Sequence, residues 1–305
     1  MRKLSAILLV FLLILSTKAQ DTFEFLQIDM SPRAAALAGS FVATGDDPNV
    51  VFYNPAGIYT LKERPASFSF VKHLMDINSA SLAYSQEIRN WGRFAFAVQY
   101  INYGSFTEAD ESGNELGEFS AGEVAFTIGY GNKLDEHFFY GVNLKYIYSG
   151  IADYSATGFA ADFGLHYEIP QSGWNFGVSV LNVGTQITSY IDKKEDLPLD
   201  VRAGFSKNLA HTPFNIFASL NKLNEDEDRF SKFTVGSEIN FSESFRIRVG
   251  YDNEKRKDMK LESTAGLAGF NMGFGFNVGE YVVDYGYSSL GSIGGMHRFG
   301  ISTSF

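Results

Sequence analysis

The residues most able to do chemistry in this chain are its histidines and the carboxylates near them. The five histidines are scattered and form no metal-binding or nucleophile motif: His73, His137, His166, His211 and His297. Asp162 lies four strand positions before His166 on the same face, about 13 Å away and too far for an acid–base pair. We therefore expect no catalytic residue, no cofactor and no bound metal. A hydrolytic barrel whose Ser, His and Asp side chains meet in space is the alternative left open.

The composition is typical of a β-barrel rather than of a soluble α/β enzyme. The 305 residues include 30 Gly, 29 Phe and 16 Tyr, but only 7 Pro and no Cys. Glycine and aromatic residues at this level are usual in up-and-down barrels. The formal net charge is −10, which argues against a nucleic-acid partner because nucleic acids select basic surfaces.

The first residues have the pattern of a secretory signal peptide. Arg2 and Lys3 supply a positive region, residues 7–15 a short apolar core, and residues 17–19 a cleavage site. The apolar run is about half of the ~20 residues that a membrane-spanning helix needs. We expect a signal peptide at residues 1–19, followed by an N-terminal hatch segment at residues 20–64 and a transmembrane barrel at residues 65–305.

Beyond residue 64, bulky apolar residues recur at every second position. In RFAFAVQY, Phe94, Phe96 and Val98 share one face, while Ala95 and Ala97 share the other. The same alternation recurs in EVAFTIGY, GVNLKYIY, GFAADFGLHYE, SFRIRVGYD and RFGISTSF. A soluble sandwich would bury the bulky face, whereas a transmembrane barrel turns it toward lipid. Small residues on the opposite face and the length of the segments favour the transmembrane barrel.

The connections between these segments fall into two classes. We predict about fourteen antiparallel strands, which start near residues 65, 78, 92, 117, 137, 154, 173, 199, 213, 230, 244, 264, 280 and 296. Connections after even-numbered strands are short, and those after odd-numbered strands include long polar segments at residues 104–117, 186–198, 222–229 and 252–261. Outer-membrane barrels of Gram-negative bacteria have this asymmetry and commonly end on an outward aromatic residue, as Phe305 does here. The predicted fold is therefore an all-β, transmembrane antiparallel barrel of about 14 strands in the outer membrane.

The face predicted to line the lumen carries charges of both signs. They are Lys145, Asp162, Asp200, Arg202, Glu238, Arg246, Arg248, Asp284 and Arg298. Such groups can pair across the lumen and hold a hatch in place, or they can line an aqueous path. A conduit for a greasy molecule needs an apolar groove instead, and the wall strands supply mostly polar groups.

Residues 20–64 show no β alternation. Ser31-Pro32 and Asp47-Pro48 predict helix or turn starts. The segment is too apolar for a solvated tail and too short for a domain, so we expect it to fill the wide lumen as a hatch. A periplasmic docking arm is the alternative. The apolar hatch residues are Phe41, Val50, Val51, Phe52 and Tyr53, and the hatch motif residues are Arg33, Asp46, Asp47, Asn54, Pro55 and Gly57.

The stretch FEFLQIDMSPRAAALAGSFVATGDDPNVVFYNPAGIYTL resembles the N-terminal signature of the PorV/PorQ family of Bacteroidetes. The matching positions are Ser31, residues 33–37, Gly39, residues 41–43, Asp46, Asp47 and residues 54–57. Ala38 and Ile58 depart mildly from the family pattern. The C-terminal runs MGFGFNVGEYVVDYGYSSLG and MHRFGISTSF resemble the family's closing strands.

The resemblance implies a fourteen-stranded barrel related to the FadL fatty-acid channels and a role in the type IX secretion system. The implied partners are the C-terminal domains of secreted cargo, translocon or attachment-complex proteins, and outer-membrane lipid. The acidic segments ADESGNELGE, IDKKEDLP and NEDEDR are candidates for contact with a basic protein. The alternative function is FadL-like uptake of long-chain fatty acids or other hydrophobic small molecules.

Overall fold

Fourteen antiparallel strands form a closed barrel in the computed structural model, which describes residues 22–225, 228–259 and 266–305. The strands are β1 Pro65–Lys72, β2 Asn78–Ile88, β3 Gly92–Ala109, β4 Glu115–Lys133, β5 Phe138–Ile151, β6 Tyr154–Ile169, β7 Trp174–Thr188, β8 Asp200–Asn208, β9 Phe214–Leu220, β10 Phe233–Asn240, β11 Phe245–Asp252, β12 Phe270–Val278, β13 Tyr281–Ser289 and β14 Gly295–Ser304. Each strand pairs with its neighbours in sequence, and β1 pairs with β14. The predicted barrel of about fourteen strands is confirmed, whereas the predicted signal peptide lies outside the described residues.

Helices are few and short. The α-helices are α1 Pro32–Ala36 and α2 Asn253–Asp258, and the 3₁₀ turns are Glu24–Gln27, Pro48–Phe52, Pro55–Ile58, Arg229–Ser231 and Gly291–Ile293. Among the described residues, no helix has the length and apolar character needed to cross a membrane.

The two faces of the wall follow the alternation in the sequence. Along β3, Ala95 and Ala97 are buried, while Phe96 between them is 52% exposed. At the same time, Arg248 and Arg298 are almost completely buried on the inward face. Exposed apolar surface of this extent indicates contact with a partner or with lipid. Transmembrane barrels have this arrangement, with charged residues inside and aromatic residues outside.

The two ends of the barrel differ in their connections. At the end that we call the short-turn end, where β1 starts and Phe305 lies, the connections are residues 89–91, 134–137, 170–173, 209–213, 241–244 and 279–280. At the opposite end, the long-loop end, they are residues 73–77, 110–114, 152–153, 189–199, 221–232, 253–269 and 290–294. The predicted asymmetry is present because the longest connections all follow odd-numbered strands.

Two predicted boundaries are wrong. The loop expected at residues 104–117 is mostly paired strand, since β3 continues to Ala109 and β4 begins at Glu115. In residues 104–117 the alternation of bulky and small side chains stops, although the backbone hydrogen bonds between β3 and β4 continue. The twelfth strand begins at Phe270 rather than near residue 264, because a turn holding Gly266 and Gly269 at positive φ precedes it.

Candidate functional site

Residues 22–64, which we call the N-terminal segment, run through the lumen as a series of capped turns. Three turns begin with a polar residue followed by proline, and in each the side chain accepts a hydrogen bond from a backbone N–H two or three residues later. The capping residues are Ser31, Asp47 and Asn54. Proline fits the first helical position because the N–H that it lacks would be unpaired there. The segment therefore satisfies much of its own backbone locally and presents side chains to the wall.

Asn54 joins three parts of the interior. Its amide Nδ2 donates to the carbonyl of Val42 at 2.7 Å and to the carbonyl of Leu165 on β6 at 3.0 Å. Its Oδ1 accepts from the N–H of Ala56 at 3.1 Å. The side chain is fully buried, so losing it would remove three interior hydrogen bonds that link the N-terminal segment to itself and to β6. Gly57 follows in the same turn, where a Cβ would lie 2.8 Å from the carbonyl oxygen of Thr44.

Glycines on the inward face let the N-terminal segment lie directly on the wall. A Cβ on Gly141 would stand 2.2 Å from the carbonyl oxygen of Pro55, and one on Gly164 would stand 2.0 Å from Oδ1 of Asn54. Other wall glycines that meet the segment backbone in this way are Gly131, Gly177, Gly236, Gly250 and Gly286. The segment and the wall thus approach more closely than any side chain would allow.

The predicted hatch residues Arg33, Asp46 and Asp47 meet in an ion-pair network in which Arg33 and Asp47 are buried and Asp46 is largely exposed. The Arg33 guanidinium donates to both carboxylate oxygens of Asp46 at 2.9 and 3.2 Å and to both oxygens of Glu238 on β10 at 3.0 and 3.1 Å. Asp47 lies 3.6 Å from the same guanidinium. Glu238 also accepts from Arg248 on β11 at 2.7 Å. Removing one partner would leave a buried charge uncompensated, which costs about 3–5 kcal/mol.

The inward charges predicted from sequence form further ties. Arg248 donates to Asp284, Arg202 to Asp200, and Lys145 pairs with Asp162 at 2.9 Å. On β14, next to β13, Arg298 donates to the backbone carbonyl of Asp29 at 2.7 Å and so binds the N-terminal segment to the wall. Arg246 is only half-buried.

Two apolar clusters fill the rest of the lumen. The short-turn cluster combines the apolar hatch residues with the wall: Ala34, Leu37, Phe41, Val50, Val51, Phe52, Tyr53, Ile58, Leu61, Ala83, Ala95, Ala97 and Phe217. The long-loop cluster contains Phe23, Phe25, Leu26, Ile101, Ala125, Ile147, Ala156, Ala160 and Leu197. The expectation that the wall supplies mostly polar groups is wrong for this second cluster, because inward isoleucines and alanines of β3 to β6 line it.

The wall beside the long-loop cluster is irregular. In the β6–β7 ladder, Ala161 pairs with Val183 and Phe163 with Val180, so β7 holds one extra residue opposite Asp162. This is a β-bulge, with Asn182 at a φ of 63°. Asp162 accepts from the Asn182 backbone N–H at 2.8 Å and from the Lys145 ammonium. The ladder is therefore interrupted there, and the buried Lys145–Asp162 ion pair lies on its inward side.

An apolar groove of about 460 Å³ lies on the outward face next to this bulge. We call it the outer groove. Its lining residues are Phe126, Ile128, Leu144, Lys145, Tyr146, Phe159, Ala160, Ala161 and Val183. Ala160 also belongs to the long-loop cluster inside the lumen. Ala160 therefore borders both the outer groove and the apolar cluster inside the lumen.

Both ends of the lumen hold polar cavities. A cavity of about 230 Å³ at the long-loop end has Asp29, Asp200, Arg202 and Lys222 in its lining. Burial acts to lower the pKa of Lys222, but the carboxylates of Glu254, Glu225 and Asp200 together outweigh burial and raise this pKa above its ordinary value. At the short-turn end, a cavity of about 400 Å³ is lined by polar groups that include Asp46.

The structure does not bring the His166 and Asp162 side chains together as an acid–base pair. His166 is buried, and its Nε2 lies 3.2 Å from Glu168 rather than near Asp162. Among the described residues, no group of three or more His, Cys, Asp or Glu side chains is placed to hold a metal ion. That the protein is not an enzyme stays a prediction.

Comparison with solved structures identifies the fold. The Ralstonia pickettii toluene transporter TbuX matches with a TM-score of 0.60 at 12% identity over 90% of this chain and 98% of the transporter. A Pseudomonas aeruginosa FadL homologue gives 0.57 at 10% identity over 95% and 98% of the two chains. The P. putida toluene transporter TodX gives 0.59 at 9% identity over 91% and 99%. At these identities the likeness shows the fold alone, which is the FadL-type outer-membrane barrel.

No protein-family model matches the chain, and no curated protein sequence matches it. The resemblance to the PorV/PorQ family therefore rests on the motif residues alone.

Proposed function

We propose that this protein is an outer-membrane barrel that takes up hydrophobic small molecules, with the long-loop end at the cell exterior. The outward face suits a lipid bilayer, and several structures of the same fold are described as transporters or channels for toluene and other monoaromatic hydrocarbons. The molecules that we expect are monoaromatic hydrocarbons or long-chain fatty acids, which share the need for an apolar path.

The observation that carries this proposal is the position of Ala160. Its side chain is part of the apolar long-loop cluster, and the residue also lines the outer groove. The neighbouring β6–β7 ladder is interrupted by the bulge. A hydrophobic ligand that reaches the cluster from outside would meet the wall where the β6–β7 pairing is interrupted and the apolar outer groove lies on the other face.

Two features would control such a route. Phe23 and Phe25 of the N-terminal segment occupy the long-loop cluster, and Phe23 leans on β6 where a Cβ at Gly158 would come within 2.9 Å of its ring. Lys145 and Asp162 stand behind the bulge as a buried pair. Entry of a ligand would require the two phenylalanines to move, and exit would require the strands at the bulge to separate.

Uptake of radiolabelled toluene and oleate by a Gram-negative host that lacks its own FadL-type channel tests the proposal. We expect expression of the chain to raise uptake of at least one probe, and Ala161→Trp to abolish the increase by filling the outer groove. Met272→Trp is the matched control, since Met272 is also outward-facing and is 54% exposed on the far side of the barrel. Unchanged uptake on expression, or equal loss in both variants, would overturn the proposal.

A second candidate is a docking component of the type IX secretion system that binds cargo C-terminal domains or attachment-complex proteins. The resemblance of residues 31–57 to the PorV/PorQ family favours this candidate. So does the network of Arg33, Glu238 and Arg248, which fixes the N-terminal segment inside the lumen. Pull-down of the tagged protein from detergent-solubilised outer membranes separates the two candidates. Cargo C-terminal domains or translocon subunits in the eluate support docking. Co-purified lipid or fatty acid without a protein partner supports uptake.

A further inference from the structure

The hairpin formed by β3 and β4 continues past the rim of the barrel. The last β3 residue paired with β2 is Asn102, and the first β4 residue paired with β5 is Ala121. Beyond these points the two strands pair only with each other, up to Ala109 opposite Glu115. We call residues 103–120 the hairpin tip. At 3.3 Å per residue its strands rise roughly 20 Å above their neighbours.

The edge of β4 in the hairpin tip is unpaired in the part of the chain that the structure describes. The N–H of Ala152 donates to the carbonyl of Ser120, and pairing on this side ends there. Residues 115–119 continue upward above the β5–β6 turn with no strand in the position that β5 would occupy. At the base of the β3 edge, Asp76 lies 3.4 Å from where a Cβ on Gly104 would stand, whereas residues 105–109 have no outer strand beside them among the described residues. Unpaired strand edges are templates for a further strand.

The hairpin tip is held in a fixed shape rather than left as a loose loop. The Asp110 carboxylate accepts from the backbone N–H groups of Ser112 and Asn114 and from the Asn114 side chain, all at 2.8–2.9 Å. Phe106 and Phe119 stack across the strands with ring centroids 5.3 Å apart. An incoming strand would therefore meet an edge that is already ordered, with one β-bulge at Leu116, which reduces the entropy lost on binding.

The charge of the hairpin tip selects the occupant. Its acidic residues are Glu108, Asp110, Glu111, Glu115 and Glu118, and it contains no Lys or Arg. Hydrogen bonds from Asn114, through its side chain and backbone, lower the pKa of Asp110, so the turn stays ionised. Two copies of the tip would bring like charges face to face, which disfavours self-pairing, whereas a cationic strand would gain at each pair.

We propose that the β4 edge of the hairpin tip, residues 115–119, binds an extended basic segment of a protein partner by strand addition. Lysine or arginine side chains of that segment would lie beside Glu115 and Glu118, and its apolar residues beside Leu116, which is 63% exposed. The site stands outside the barrel wall, so it does not depend on passage of a small molecule. It would provide the protein-docking candidate with a defined contact, but its test is independent of type IX secretion.

Synthetic peptides provide the test with the full-length protein in detergent micelles. The probe is a ten-residue peptide of alternating lysine and valine, and its control is a peptide of equal charge in which the valines are replaced by proline. Proline cannot supply the backbone N–H groups that a strand needs. We expect binding of the first peptide alone, with new hydrogen-exchange protection at residues 115–119 and none at residues 105–109.

Charge reversal locates the site. Glu115→Lys with Glu118→Lys should weaken the lysine–valine peptide roughly tenfold or more. Glu108→Lys with Glu111→Lys changes the net charge equally but lies on β3 and in the turn, and should weaken it far less. Equal losses in both variants, equal binding of the proline peptide, or protection outside residues 115–119 would each contradict strand addition.

Discussion

Gly141 and Gly164 face each other across the β5–β6 ladder, and the turn at residues 54–56 lies over both of them. The two residues are separated by the β5–β6 turn in sequence but form one flat site on the inner wall. A buried Asn amide that bonds Val42 and Leu165 fixes the turn on this site. The match between a side-chain-free wall and a capped turn is what holds the N-terminal segment at one height in the lumen.

Adding a methyl group at this site should therefore dislodge the segment. We expect Gly141→Ala to lower the free energy of unfolding by roughly 2–4 kcal/mol, because the new Cβ would overlap the Pro55 carbonyl and the backbone must shift. Gly117→Ala is the control, since no atom lies within 4 Å of its Cβ position. Thermal unfolding in detergent measures the difference, and equal melting temperatures for the two variants would show that the contact is not stabilising.

Loss of the Arg33 guanidinium should increase ion conductance through the lumen. In Arg33→Met, Glu238 keeps Arg248 and Asp46 is largely exposed, but the buried Asp47 carboxylate loses its cation, so the segment should loosen at a cost of about 3–5 kcal/mol. Single-channel recording in planar bilayers should show larger or noisier conductance than the wild type. Lys257→Met removes an exposed ion pair with Asp228 and should leave the trace unchanged. If the Arg33→Met protein shows the same conductance as the wild type, the role assigned to this network is wrong.

Truncation of Phe23 tests the long-loop cluster as the interior ligand site. Phe23→Ala would leave a cavity between the N-terminal segment and β6. Such a cavity destabilises the protein by about 3–5 kcal/mol when nothing fills it. Added toluene should recover part of the lost melting temperature, as expected for an apolar cavity that binds an apolar guest. Phe41→Ala, in the short-turn cluster, is the comparison variant, and equal recovery there would remove the special role of the long-loop cluster.

His73 gives the protein a predictable acid response. Burial and the charges of Arg298 and Lys72 lower its pKa to about 4, whereas an unfolded histidine titrates near 6.5. Between these two values the unfolded chain takes up a proton that the folded protein does not, so stability falls as the pH drops through this window. His73→Gln should lose less melting temperature than the wild type between pH 7 and pH 4. Parallel curves for the two proteins would contradict this assignment.

The wall was predictable from the sequence because side chains alternate with a period of two. The bulky face of RFAFAVQY and the small face between its members identify lipid and lumen without knowledge of any partner. The hairpin tip escaped this reasoning, since residues 105–109 and 115–119 extend past the neighbouring strands and do not alternate with a bulky face. Backbone pairing there leaves no trace in hydropathy.

Contacts inside the lumen were beyond sequence reasoning for a different reason. Arg33 and Glu238 are 205 positions apart and meet only because the barrel closes. Charges of both signs on the inward face indicated that pairs would form, but the choice of partner depends on strand register and height. The wall glycines carried a usable signal: glycines that pair across strands, such as Gly141 with Gly164, mark where another backbone lies on the sheet.

The path of the N-terminal segment also constrains how the protein is made. The Thr22 N–H is bonded to the Asp196 carbonyl at the long-loop end, and the Arg64 N–H is bonded to the Phe305 carbonyl at the short-turn end. The chain therefore traverses the whole lumen, seated against glycines that leave no clearance for threading. We therefore expect the barrel to close around the N-terminal segment during biogenesis, rather than the segment to thread into a closed barrel.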